Sequence, residues 1–573
     1  MQLGSAKHWA VRGYDEARAR TLAADTGLST VVAGLLLARG YETSAAVTHL
    51  LHPSFDQLHD PALMLGMNDA VARVLHAIDA GEPILVYGDY DVDGTTGTVV
   101  LRRALGLLGA RTGFHVPHRF TEGYGIRQDV LERAAADGYK LVISVDCGIR
   151  AHEPLEWARA NGLDVIVTDH HLPDADEGAP PAFAVLNANQ RGDTYPDKHL
   201  AGVGVAFKLA HALLRARGRE QLMQGFLKVV AIGTVADVAP LVGENRAIVS
   251  LGLADLPNAT NPGLRALMEV AGIGNGRGMR CSDLGFRLGP RINAAGRMDA
   301  ARAVVELFET SDPVEARRLA QHLDARNRER QVIQQQLTER ALADYELSGD
   351  CSAVAVVAGA GWHRGVIGLV ASKMAEKLGR PAVVISLDED GTGHGSARSV
   401  ANYHLLDGLT ACAELFTSFG GHAQAAGLVI RRERIDELRR RLHAHASQHM
   451  TEADCRPTLY IDAELPATAI TLELAEALEQ LEPFGAQWPC PVFHTRNLRV
   501  LQEARVLKER HLKIHLVGDD GRAHEALWWG GAEAATATPR PGDSIELAYE
   551  LETNTWRDEK RLQLIVKDIR KQC

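Results

Sequence analysis

The sequence predicts an α/β protein: a doubly wound domain joined by a long helix to a smaller α/β domain, with an OB-like β-barrel at the C-terminal end. Three observations predict it. First, apolar β-branched runs (Ile84–Tyr87, Leu141–Val145, Val165–Val167) alternate with helical stretches between Pro83 and Val249, as buried parallel strands do. Second, a polar, Arg/Gln-rich helical pattern runs from Pro313 to about Leu347 with no Gly or Pro after Pro313, which suits a connector. Third, the pattern after Cys455 changes to short alternating strands separated by turns.

Taken in order, residues 1–80 read as a helical, mostly accessory extension, and 81–310 as the doubly wound domain. Within it, Arg287 to Asp299 reads as an Arg- and Gly-rich loop. Residues 311–347 form the connecting helix. Residues 348–455 form the smaller lobe, with strands at Ala353–Val357 and Ala382–Ile385 and a helix at Val366–Leu378. It holds two Gly-rich segments, Gly393 to Ser399, which reads as a loop whose Ser396 and Arg398 make a phosphate nest, and Gly420 to Ala423. Residues 456–573 form the barrel, with strands at Thr458–Ile461, Val492–His494, Lys513–Val517, Glu525–Trp529, Ile545–Glu550 and Leu562–Val566.

Composition narrows the class. A 46% hydrophobic and 24% charged content is that of an ordinary globular chain. No run of 18 apolar residues and no basic-then-apolar N-terminus is present, so no membrane span or export is expected. The seven cysteines (147, 281, 351, 412, 455, 490, 573) are scattered and lack a C-x-x-C pair, which argues for a reducing cytoplasm and against a disulfide framework or zinc ribbon. The net charge of −11 counts mildly against nucleic-acid binding, but local charge outweighs the total.

Chemistry concentrates where strands end. Gly88-Asp89-Tyr90-Asp91-Val92-Asp93-Gly94, Val145-Asp146-Cys147-Gly148 and Thr168-Asp169-His170-His171 follow apolar runs, and Thr234-Val235-Ala236-Asp237 adds a further acid. In an open α/β sheet the carboxyl ends of the strands form the ligand crevice. Carboxylates packed there repel unless cations lie among them. Hard oxygen donors with one or two imidazoles suit Mn2+ or Mg2+ better than structural zinc. A two-metal phosphoester-cleaving centre is therefore expected. Any one Asp after a strand is as readily a helix N-cap. Four such segments together, one carrying Asp-His-His, are poorly explained as caps alone.

Asp91-x-Asp93-Gly94, Asp146-x-Gly148, Asp169-His170-His171 and Asp237 resemble the four motifs of the DHH phosphoesterase superfamily, and Gly395-Ser396-x-Arg398-Ser399 with Gly420-Gly421-His422 resembles its DHHA1 partner domain. Pro117-x-Arg119-x-x-Glu122-Gly123-Tyr124-Gly125, Gly289-Pro290-Arg291-Ile292-Asn293-Ala294-Ala295-Gly296-Arg297 and Trp362-His363-x-Gly365 narrow the resemblance to the RecJ family of bacterial single-strand-specific exonucleases. The resemblance implies two ions, Mn2+ or Mg2+. One would be held by Asp91 and Asp146, the other by Asp93, Asp146, His170 and Asp237. It gives His171 the scissile phosphate and Asp169 the orienting of a histidine. Related pyrophosphatases carry a His where this chain has Tyr87, a poor ligand as a phenol, so the first ion would be weaker and partly water-ligated, with Asp89 near enough to help. Ser396, Arg398 and Arg119 would take a terminal 5′-phosphate. Arg291, Gly421 and His422 complete the expected substrate contacts.

The implied reaction is 5′-to-3′ hydrolysis of single-stranded DNA to 5′-mononucleotides, in repair and recombination. The implied partners are a single-strand-binding protein and a helicase, and a cytoplasmic monomer is expected. The rivals are a DHH enzyme for short RNA or cyclic dinucleotides, whose members usually lack the extension and the barrel, and a non-catalytic scaffold, which would have lost motif carboxylates. Further features bear on strand binding. Arg287, Arg291, Arg297 and Arg302 face only Asp299 in that stretch, so a nucleic-acid channel competes with internal ion pairs. His363 beside Trp362 suits base stacking and packing at a domain edge equally well. In the barrel, Arg505, Lys508, Arg510 and Lys513 form a basic patch, and Trp528, Trp529 and Trp556 are candidate stacking platforms; of the adjacent pair Trp528 and Trp529, at least one should pack inward.

Overall fold

In the first unit, five parallel strands run in the spatial order Thr112–His115, Ile84–Gly88, Leu141–Val145, Asp164–Thr168, Ala184–Leu186. The computed structural model describes residues 7–274, 278–298, 301–347, 353–451, 454–535, 538–556 and 559–572, with the side chains of 555 and 556 excepted. The chain divides into two units: His52–Arg330 with Glu482–Pro489, and the described residues up to Leu51 with Gln331–Leu481 and those from Cys490 onward.

Each strand of this sheet alternates its side chains between two apolar layers. Val86, Ile143 and Ile166 meet Val100, Leu101, Val203 and Phe207 of the helices Val92–Leu107 and Gly202–Ala216. Leu85, Val142 and Val165 meet Val130, Leu131 and Leu155 on the other face. Burial on both faces is why these strands read as unbroken apolar runs. The winding reverses between Ile84–Gly88 and Leu141–Val145, so the crevice of the sheet opens at their carboxyl ends.

The N-terminal extension is not wholly helical. His8–Val11 is a strand, parallel to Thr458–Ile461, and the Trp9 indole donates to Asp568 at 2.8 Å. The helix Met67–Ala80 is no accessory, since Met67, Ala70, Val74 and Ala77 lie in the core of the parallel sheet. Arg287 to Arg297, expected as a loop, is helical. A π-helical turn at Leu284–Leu288 runs into the helix Gly289–Arg297, with Pro290 in its first turn, where a missing N–H costs nothing. Asp299 lies outside the described residues.

In the second unit, a mixed sheet runs Phe416–Gly421, Ala425–Arg431, Thr392–Arg398, Ala382–Leu387, Ala355–Ala360. The Gly-rich segment from Gly393 is therefore its central strand, not a loop. A Cβ on Gly393 would stand 2.8 Å from Ile385, and one on Gly395 2.6 Å from Leu428, so neighbouring side chains fill the space that glycine leaves. The helix Pro313–Leu347 sends Leu337, Ala341 and Leu342 into the core under this sheet.

The barrel closes on itself. Phe493–Val500, Ser544–Trp556, Glu559–Lys571, Ala523–Trp528 and His511–Val517 pair in turn, and Arg499–Val500 pairs back to Leu516–Val517. Five strands closed in this way make an OB-like barrel. Thr458–Ile461, expected as a barrel strand, instead pairs with the N-terminal strand. Among the described residues no single helix is long and apolar enough to cross a membrane.

Candidate metal centre

The acids expected to converge do so at the switch point. Asp89 follows the strand Ile84–Gly88 directly. Asp91 caps the next helix, accepting from the Gly94 amide at 2.9 Å through Oδ1, so the helix cap is also a member of the acidic cluster. Both oxygens of Asp93 accept backbone amides, from Gly202 and Val203 at 2.7 Å each. Those amides open the helix Gly202–Ala216, whose N-terminus favours an anion. Asp146 sits at φ 62°, a left-handed conformation that Asp tolerates better than most residues.

Three overlapping groups bring ligand atoms within 4.8 Å of one another: Asp89, Asp91 and Asp146; Asp93, His170 and Asp237; and Asp146, His170 and His171. His170 Nε2 lies 3.2 Å from Asp146, 3.8 Å from Asp93 and 3.9 Å from Asp237. The buried atoms Asp89 Oδ1, Asp146 Oδ1 and His170 Nε2 have no hydrogen-bond partner among the described residues. Buried polar atoms are ordinarily satisfied, and these converge on the same spots. Burial, then the charge of Asp91, pushes the Asp93 carboxyl up to about 7. Burial, then Asp93 and Asp91, pushes Asp237 up to about 9. Burial and neighbouring carboxylates hold Asp89 and Asp146 well above the ordinary carboxyl range. Oxygen donors, one or two imidazoles and costly crowded charge together fit divalent cations.

The grouping of Asp89 with Asp91 and Asp146 answers the Tyr87 departure. Tyr87 is fully buried and its hydroxyl donates to the Gly125 carbonyl at 3.0 Å, so the phenol is spent on that loop. Asp89 occupies the first cluster instead.

Asp169 is wholly buried and accepts from the amides of Ile149, His170 and His171 and lies 2.8 Å from His171 Nδ1. Burial pushes its carboxyl up, but the His171 hydrogen bond, the charge of that ring and the Ile149 amide outweigh this and leave it below the ordinary range. The same contact, opposing burial, raises His171. The Tyr124 hydroxyl donates to the Asp146 carbonyl at 3.2 Å and lies 3.2 Å from His171 Nδ1.

Beside the clusters is a pocket of about 210 Å³, lined by Asp89, Asp91, Asp146, His171 and Asp237 together with Tyr90, Arg119, Tyr124, Asn293 and Arg297. Arg119 lies over the Tyr90 ring at 4.7 Å. Arg291, expected at the substrate, does not line this pocket. Its Nε donates to Asp324 at 2.9 Å, and its other nitrogens donate to the carbonyls of Arg287 and Val270. Arg287 likewise pairs with Asp283, and Arg302 with Glu306. Arg297, six residues beyond Arg291 on the same helix, faces the pocket with Asn293. Tyr124 and Asn293 were legible only as members of the longer motifs, and Arg297 also as one of the four basic residues of its stretch. Gly202 and Val203 gave no local signal.

In the second unit, Ser396 and Arg398 alternate on the central strand and share a face, with Arg398 Nη1 3.2 Å from Ser396 Oγ. The helix Arg364–Leu378 approaches that face through Gly368, where a Cβ would stand 3.0 Å from Ser396 Oγ. This is a strand face, not the backbone nest a Gly-rich loop would make. Gly421 ends its strand, and the His422 amide donates to the Ala425 carbonyl at 2.9 Å in the turn that follows. His363, a candidate for base stacking, caps the helix Arg364–Leu378 through Nδ1, and Trp362 is buried. In the barrel Trp528 is buried, whereas Trp529 is 58% exposed, its ring 4.8 Å from that of His511. Arg510 pairs with Glu533 and Lys513 with Glu525, while Arg505 and Lys508 are exposed. The Trp556 side chain lies outside the described residues.

Known proteins match this arrangement along the whole chain. Residues 83–234 match the N-terminal domain of the DHH family, 350–448 the DHHA1 domain, and 461–568 the RecJ OB domain. The single-stranded-DNA-specific exonuclease RecJ of Bacillus subtilis is 37% identical over 99% of this chain and 71% of its own length. That of Dickeya dadantii is 38% identical over 91% of this chain and 93% of its own length. The chain belongs to the RecJ family. The crystal structure of RecJ from Thermus thermophilus in complex with Mn2+ superposes with a TM-score of 0.83 at 30% identity, covering 99% of this chain and 80% of that one. The same protein in complex with Mg2+ gives 0.77. RecJ relatives thus carry the ions that the donor set here fits.

Proposed function

We propose that this RecJ-family chain is a two-metal-ion exonuclease that degrades single-stranded DNA from the 5′ end to 5′-mononucleotides, in DNA repair and recombination. The observation that carries the reading is Asp146, which together with His170 links the three ligand groups and lines a pocket that also holds Arg119 and Arg297. Asp89, Asp91 and Asp146 would hold one ion, and Asp93, His170 and Asp237 the other, with Asp146 close to both. Divalent cations bound there supply Lewis-acid stabilisation for the charge that develops at phosphorus and on the leaving oxygen.

The chain's own residues do the rest. The amides of Gly202 and Val203 fix the Asp93 carboxylate, so the centre needs little reorganisation when charge builds up. Asp169 accepts from His171 Nδ1 and, against burial, favours the protonated ring, whose outward Nε2–H then donates to the scissile phosphate. Arg119 and Arg297 supply guanidinium contacts to phosphate oxygens. Ser396 and Arg398 bind the terminal 5′-phosphate and so set the polarity. The barrel, through Trp529 and the basic residues near it, grips the strand. The RecJ resemblance supports cytoplasmic action with a single-strand-binding protein and a helicase.

The test uses the full chain with Mn2+ on end-labelled single strands of DNA and RNA, each end blocked in turn. A bulky 5′ block should stop release of mononucleotides from DNA and a 3′ block should not. Arrest by the 3′ block would overturn the polarity, and preference for dinucleotides or RNA would move the chain to the short-substrate branch.

A further inference from the structure

The helix Ile435–His449 carries histidines four residues apart, His445 and His449, on one face. Their rings stack with centroids 4.2 Å apart at an interplanar angle of 17°. Both Nδ1 atoms are engaged. His449 Nδ1 lies 2.7 Å from the His445 carbonyl, which can only accept, so that nitrogen carries the proton and Nε2 keeps its lone pair. His445 Nδ1 lies 3.0 Å from the Tyr403 hydroxyl, a group able to take its proton in turn. Neither Nε2 has a partner among the described residues. Burial and then the neighbouring His449 hold the His445 imidazole below its ordinary range, only partly offset by Asp407 on the neighbouring helix Leu405–Thr410.

We propose that His445 and His449 form a second metal site, for a borderline transition-metal ion such as Cu2+, Ni2+ or Zn2+, separate from the Mn2+/Mg2+ centre. Two imidazoles at this spacing reach one ion from a single helix face, and two nitrogens without a dense carboxylate shell favour those ions over Mg2+. The hydrogen bonds at Nδ1 are the outer contacts that ordinarily fix the tautomer and raise the basicity of a metal-binding imidazole. The site has a structural route to the substrate face. The Ser399 hydroxyl donates to the carbonyl of Tyr403 at 2.7 Å, and Ser399 directly follows the strand that carries Ser396 and Arg398.

The experiment uses the full chain saturated with Mg2+, titrated with Cu2+ and read by electron paramagnetic resonance and calorimetry, beside His445→Gln, His449→Gln and Tyr403→Phe. His449 is exposed, so its variant should fold as wild type, checked by thermal melting. The expected result is one tight equivalent of Cu2+ with two nitrogen donors. Each histidine variant should lose that equivalent, and Tyr403→Phe should keep it at about tenfold lower affinity. If His449→Gln binds Cu2+ with wild-type affinity and spectrum, the site does not exist. If Tyr403→Phe also matches wild type, the tyrosine contact that the proposal uses is overturned.

Discussion

Gly202 lies against Asp146 so closely that a Cβ at Gly202 would stand 2.6 Å from the carboxylate oxygen Oδ1. The same glycine donates its amide to Asp93. One position with no side chain therefore sets two carboxylates of the candidate metal centre.

Gly202→Ala should accordingly abolish catalysis and also cost some stability. The added methyl would stand 2.6 Å from both the Cβ and Oδ1 of Asp146, so the whole residue with its backbone, not only the carboxylate, must shift. A fall of at least about a hundredfold in hydrolysis of single-stranded DNA is expected, some 2.7 kcal/mol of barrier. Activity within about tenfold of wild type, with an unchanged melting temperature, would show that Asp146 tolerates the shift.

Removing metal should expose the cost of the clustered acids. Asp93 and Asp237 are raised from the ordinary 3.8 to about 7 and about 9. The folded state then binds more protons than the unfolded chain over that window. The stability they contribute is complete below pH 3.8 and is lost as pH rises through about 7 and then about 9. With a chelator, the melting temperature should fall as pH rises across this range. Saturating Mg2+ takes the place of the protons and should flatten the fall. Parallel pH profiles with and without Mg2+ would contradict the assignment of these acids to a metal centre.

Arg398→Ala separates a terminal-phosphate contact from a structural one. Arg398 also approaches Ser396 and the Ala397 carbonyl, so its loss has a packing component common to every substrate. A charge-assisted contact to a 5′-phosphate should add about 1.5–3 kcal/mol on phosphorylated strands alone. Cleavage rates on 5′-phosphate and 5′-hydroxyl strands, compared in the same variant, isolate that part. Equal losses would make Arg398 structural.

What could be read from the chain followed from local signals. Ile84–Gly88 and Leu141–Val145 announced themselves because both faces of the sheet are covered, and the acids after them fell at the crevice that the strand order creates. Gly393 and Gly395 misled because glycine is poor strand material, and only the crowding by Ile385 and Leu428 explains their place in a central strand. Arg291 and Arg297 could not be told apart while the segment was taken as a loop. On a helix they point differently, one to Asp324 and the other to the pocket. The pairing of His8–Val11 with Thr458–Ile461 and the clamp of Gly202 on Asp93 join residues distant in the chain, which periodicity does not register.

The adjacent tryptophans of the barrel make a paired test of strand binding. Trp528 ends its strand and is 4% exposed, whereas Trp529 opens the turn that follows and is 58% exposed. Trp528→Ala removes a large core side chain and should cost about 3–5 kcal/mol of stability, visible in thermal or urea melts. Trp529→Ala leaves the core intact and should leave those melts unchanged. If its ring carries a stacked base, affinity for long single strands should drop by about 1–3 kcal/mol, while cleavage of oligonucleotides too short to reach the barrel stays at wild-type rates. The exposed Arg505 and Lys508 provide the matching electrostatic control, since Arg505→Ala and Lys508→Ala should each reduce the salt slope of binding by about one. Long-strand affinity unchanged in Trp529→Ala, with the salt slope also unchanged in the two basic variants, would exclude this face of the barrel from the DNA path.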